Sequence, residues 1–144
     1  METHVSSNDT LLPITRLLLG VSAAVQFLFA AISLLFPPDL WQSILWPPPL
    51  PPWPDVVREF SAISYLATAI AAAYALYQGT WAGARVYFAF SFPYNAMAII
   101  VALITAVRLG VPPIMWLYVL LAVLYLPVVA VVWALQARRV RLRS

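Results

Sequence analysis

LLLGVSAAVQFLFAAISLLF, residues 17–36, carries no charged side chain and no proline. A helix needs about 20 apolar residues to cross a hydrocarbon layer about 30 Å thick. Three further runs of similar length follow at 60–81, 86–107 and 114–136, and none of them holds a charge. The chain therefore reads as an all-α membrane protein. Its expected form is one domain, 1–144, of four transmembrane helices in an antiparallel bundle. The helices are expected at about 11–36, 56–78, 85–107 and 114–136, with a Pro/Trp-rich loop at 37–54 and a basic tail at 137–144.

Composition supports a membrane chain. Of 144 residues, 64% are hydrophobic and 9% are charged, against about half and a quarter in soluble domains. There is no cysteine, and His4 is the single histidine. No metal or haem ligated by this chain is therefore expected, and no disulfide. The segment before the first run holds Glu2 and Asp9 and one arginine, Arg16. It lacks the basic n-region of a signal peptide, so the run is expected to remain as a span.

Breakers and caps set the expected boundaries. Asp9 and Thr10 are N-cap types before Pro13, and Pro37-Pro38 ends the first helix. Asp55 is expected to cap the second helix, with Arg58 paired to it and Glu59 near the positive helix end. Gly79 to Ala84 is a short link that makes helices two and three neighbours. Arg85 opens helix three. In the loop PPDLWQSILWPPPLPPWP, 37–54, proline favours extended chain. Trp41, Trp46 and Trp53 favour the headgroup layer, with Asp55, Arg58 and Glu59 as further interface anchors. Residues 40–46 are expected to form a short interfacial helix.

All eight basic residues are arginine. With the N-terminus inside, Arg16, Arg85 and the tail arginines 138, 139, 141 and 143 share the cytoplasmic side, six against Arg58 and Arg108 outside. The positive-inside rule then places both termini in the cytoplasm. The arginine tail reads as an anchor on anionic lipid, and no nucleic-acid partner is expected.

Small and polar residues suggest the bundle interior. Ala67, Ala71 and Ala75, flanked by Ala69 and Ala73, form a ladder that marks helix two as the most buried. Ala98, Ala102 and Ala106 form a matching ladder on helix three. Polar stripes at helical spacing run through Thr15, Ser22, Gln26 and Ser33, through Ser61, Ser64, Tyr65 and Thr68, through Tyr87, Ser91 and Asn95, and through Tyr118 and Tyr125. A ligand in this seam would meet Gln26, Tyr65, Thr68, Ser91, Asn95 and Tyr125. The bland alternative is that these groups only lock the helices together. Pro93 and Pro127 fall at a similar depth and are expected to kink helices three and four; matched kinks could splay the inner half of the bundle into a cavity or act as a hinge, and the alternative is a purely structural origin.

No catalytic residue is expected. The four runs hold no Asp, Glu, Lys or His, the residues that mark proton and ion paths. Nucleophile, metal and phosphate-loop motifs are likewise missing from the sequence.

Arg16-Leu-Leu-Leu-Gly20 opening helix one, Phe36-Pro37 closing it, Arg58-Glu59 opening an alanine-rich helix two and Arg85 opening helix three together resemble the small four-helix bacterial membrane proteins of the DoxX-like type. The resemblance covers most of the chain. It implies a multi-pass protein of the bacterial cytoplasmic membrane; most such proteins have no assigned activity, and some resemble membrane subunits of oxidoreductases. Two expectations of function follow. The first is an accessory or structural subunit of a larger membrane assembly, surrounded by the lipid bilayer and other membrane subunits, without catalysis of its own. The second is a binding protein or enzyme subunit for a hydrophobic small molecule (a lipid, quinone or pigment) held in the polar seam.

Overall fold

Four helices carry the chain in the computed structural model, which describes residues 10–37, 54–109 and 113–142. They are α1 (Pro13–Leu35), α2 (Pro54–Gln78), α3 (Trp81–Leu109) and α4 (Pro113–Arg141). All regular structure among the described residues is helical, apart from one isolated bridge between Thr10 and Thr80. Each helix contains a stretch long and apolar enough to cross a membrane. Trp41, Trp46, Trp53, the expected 40–46 helix and Arg143 lie outside the described residues, as does the Asp55 side chain.

The helix starts differ from the sequence expectations. Leu12, rather than Asp9 or Thr10, is the N-cap of α1, with Pro13 in the first turn and no side chain of its own as a cap. The cap comes instead from α4. Gln136 Oε1 accepts the Leu12 backbone N–H at 2.7 Å and the Thr15 hydroxyl at 3.0 Å. Gln136 Nε2 donates to the Thr10 carbonyl at 3.2 Å. A distant glutamine thus does what the glutamate of a capping box does locally. Pro54 opens α2, so Asp55 lies inside the first turn rather than before it.

The turn from α2 to α3 is tighter than expected, because Thr80 starts the next helix at Trp81. Its hydroxyl accepts the Gly83 N–H at 3.3 Å and its carbonyl accepts the Ala84 N–H at 3.1 Å, an N-cap pattern. Only Gly79 and Thr80 remain as link. Gly79 has φ +65°, a left-handed conformation costing other residues about 1–2 kcal/mol. Its carbonyl accepts the Leu11 N–H at 3.2 Å. At its far end α4 continues past Gln136, placing Arg138, Arg139 and Arg141 in its last turn, where cations complement the helix dipole.

These contacts bring the start of α1, the α2–α3 turn and the end of α4 together. Arg16, Arg85, Arg138, Arg139 and Arg141 consequently share one end of the bundle. Away from that end, Arg58 Nη1 donates to the Phe36 carbonyl at 3.0 Å, tying the start of α2 to the end of α1. The expected Asp55–Arg58 pairing falls on a side chain outside the described residues. Glu59 is exposed.

Helix α1 and α2 make the most extensive pair, followed by α3 with α4, α2 with α3, and α1 with α4. The alanine ladder is displaced from its expected face. Ala62, Ala69, Ala72 and Ala75 are buried, whereas Ala67, Ala71 and Ala73 are exposed. An alanine-rich helix offers small residues on several faces, and α1 takes only one of them. Burial does not single out α2 either: 28% of the most apolar stretch is buried in each of α1, α2 and α3, and 24% in α4.

The packed core lies in the arginine-end half. It joins Leu11, Leu18 and Leu19 to Ala72, Ala75, Ala84, Val129 and Val132 around an aromatic wedge. Phe88, fully buried, sits 6.4 Å from the Trp81 ring and 6.0 Å from Trp133, and the two tryptophans meet edge-on at 5.7 Å. The half that matched kinks could splay is thus the closely packed half. Pro93 and Pro127 lie inside helices that run on through them.

Candidate functional site

Just beyond this core, residues from all four helices surround a cavity of about 310 Å³. Its floor is a polar layer. The Ser22 and Tyr125 hydroxyls share a hydrogen bond of 2.8 Å, and Tyr87 and Ser91 are the next polar neighbours of Tyr125. Ser22 is buried because α1 turns this face toward α4. Tyr125 reaches it from α4, where residues 119–124 before it are aliphatic.

Gln26 enters the cavity from α1, one turn beyond Ser22, and its Oε1 is buried with no hydrogen-bond partner among the described residues. Tyr65 enters from α2, its ring 5.5 Å from that of Phe29, which also lines the cavity. Asn95 enters from α3. Its Nδ2 donates to the Ser91 carbonyl at 2.7 Å and to the Ser91 hydroxyl at 3.1 Å. Val21, Val25 and Leu121 supply apolar wall.

Of the six residues expected to meet a ligand, Gln26, Tyr65, Asn95 and Tyr125 line this cavity together. Ser91 is buried behind Asn95 and orients it rather than lining the space. Thr68 is elsewhere. It is buried on α2 and donates to the Ser64 carbonyl at 2.8 Å, as Ser64 does to the Phe60 carbonyl at 2.9 Å. Hydroxyls on a helix readily bond the carbonyl four residues back, which takes both out of the seam. Phe29 was missed as a wall residue, although it lies one turn after Gln26 and Val25 on the same face.

The cavity offers hydrogen bonds and little else. Its polar side chains are two carboxamides and three hydroxyls, and none of its lining residues is ionic. Among the described residues no group of His, Cys, Asp or Glu is placed to hold a metal ion. A second hollow, a groove of about 620 Å³, lies between α2 and α3 toward the arginine end, along Ala71, Ala82 and Gly83. It is bounded by only two helices.

No protein-family model, curated protein or solved structure matches the chain.

Proposed function

We propose that this chain is a multi-pass protein of the bacterial cytoplasmic membrane that holds a hydrophobic small molecule in the seam between its helices, without catalysis of its own. The observation that carries this is the buried Gln26 carbonyl oxygen without a partner, on a residue lining a cavity shared by all four helices. A buried polar group left unpaired costs about 1–3 kcal/mol. The Tyr87 hydroxyl is also buried without a partner among the described residues, but it does not line the cavity; on a residue that does, such a group marks a place for a ligand. The class proposed is lipid, quinone or pigment, and the DoxX-like resemblance of the helix openings agrees with a subunit of this kind.

Native mass spectrometry of protein extracted in mild detergent tests the proposal. An apolar adduct is expected on the wild type and is expected to be weakened in Gln26→Leu and Asn95→Leu. An adduct unchanged in both variants overturns the seam as its site.

A second function, accessory subunit of a larger assembly, is favoured by the small residues that α2 leaves exposed. Ala67, Ala71 and Ala73 face away from the buried side, and small surfaces let membrane helices approach closely. The same spectra would then carry a second polypeptide.

The topology we propose is an antiparallel bundle with both termini cytoplasmic. It is supported by the gathering of arginines at one end. Reporter fusions after Ser144 and within residues 47–52 are expected to report opposite sides of the membrane. Finding both on one side excludes four spans.

A further inference from the structure

We infer that the seam cavity selects a neutral amphiphile whose head is a hydroxyl, of the long-chain or isoprenoid alcohol class, over relatives headed by a carbonyl, an ether or a charge. This rests on the proposal that the cavity holds a small molecule, and it specifies which head group the cavity accepts.

The orientation of Asn95 is the first ground. The Ser91 carbonyl can only accept, so the amide group facing it at 2.7 Å has to be the NH₂. Both of the Asn95 bonds to Ser91 use Nδ2. That commitment leaves Oδ1, a pure acceptor, as the group Asn95 has to offer. Gln26 is the second ground, because its Oε1 is also an acceptor, buried and without a partner. The oxygen that Asn95 has to offer, and the unpaired Gln26 oxygen buried in the cavity wall, call for a donor from the ligand.

Charge narrows the choice. An ammonium donates, but the lining holds no carboxylate to balance it, and an unpaired charge at membrane depth is costly. A carboxylate brings the same penalty and adds acceptors where acceptors already stand. A quinone, aldehyde, ester or ether is neutral yet has no donor. A hydroxyl is neutral, donates to an amide oxygen, and can also accept from Gln26 Nε2. The volume of about 310 Å³ suits a small head and the first carbons of a chain, against walls of Val21, Val25, Phe29 and Leu121. The rest of the chain leaves through the open side of the cavity into lipid.

The test uses the full chain in lipid nanodiscs and four probes with one tail: geranylgeraniol, its methyl ether, geranylgeranial and geranylgeranoic acid. Each competes against tritiated geranylgeraniol, with empty nanodiscs correcting for partition. The alcohol is expected to bind about tenfold or more tightly than the ether and aldehyde, the factor that 1.4 kcal/mol represents. In Asn95→Leu the preference is expected to fall toward one while ether binding persists. Equal binding of alcohol, ether and aldehyde overturns the hydroxyl inference and leaves the seam site standing. Tightest binding of the acid or aldehyde does the same. Failure of all four to compete, together with no adduct in native mass spectra, overturns both. The wild-type comparison decides the matter even where Asn95→Leu does not fold.

Discussion

Replacing Gln136 by leucine is expected to destabilise the bundle by about 3 kcal/mol, because buried groups left unpaired cost about 1–3 kcal/mol each. Gln136 is fully buried and serves three partners at once: the Leu12 N–H, the Thr15 hydroxyl and the Thr10 carbonyl. Leucine fills a similar volume, so the loss isolates the hydrogen bonds from packing. Gln136→Glu keeps the acceptor for Leu12 and Thr15 but buries a charge against the Thr10 carbonyl unless it is protonated, when its O–H can donate there, so its loss is expected to shrink as the pH is lowered. Leu135→Ala, next in sequence but 49% exposed, is the control and should change little. Unfolding titrations in mixed detergent micelles provide the measurement. A Gln136→Leu loss no greater than that of Leu135→Ala would show that the clamp does not hold the start of α1.

Phe88→Ala is expected to cost about 2–3 kcal/mol, somewhat less than the 3–5 kcal/mol typical of a soluble core. The difference has a physical cause. Inside a bilayer the alternative to burial is lipid rather than water, so the hydrophobic transfer term is small. What disappears is the dispersion contact of the ring with Trp81, Tyr87 and Trp133. Phe88→Leu, which keeps most of the volume, should cost about 1 kcal/mol. Phe90→Ala, at a ring that is 59% exposed, should be close to neutral. The same titration reads all three, and equal effects of Phe88→Ala and Phe90→Ala would place the core elsewhere.

Much of the fold was legible in the sequence. Four uncharged runs, each about the length of a bilayer crossing, require four helices, because in lipid every backbone group has to find its partner within the segment. Prolines marked the helix limits at Pro37 and Pro54 for the same local reason. The polar stripes identified Gln26, Tyr65, Asn95 and Tyr125, since helical spacing alone puts Gln26 on the face of Ser22 and Asn95 on that of Ser91.

The tertiary structure decided what local rules leave open. Which alanine face of α2 is buried depends on where α1 lies, because every face of an alanine-rich helix is small enough to pack. Thr68 donates to the Ser64 carbonyl four residues back, a bond open to any helical hydroxyl, and which face it takes was set by how α2 packs. The start of α1 is capped by Gln136, at a sequence distance of 124 residues from Leu12, and no local signal reports a contact of that span. The cavity itself is a property of the packing. Helix spacing places its polar groups, but only the fit of four helices beyond the aromatic core leaves the space between them.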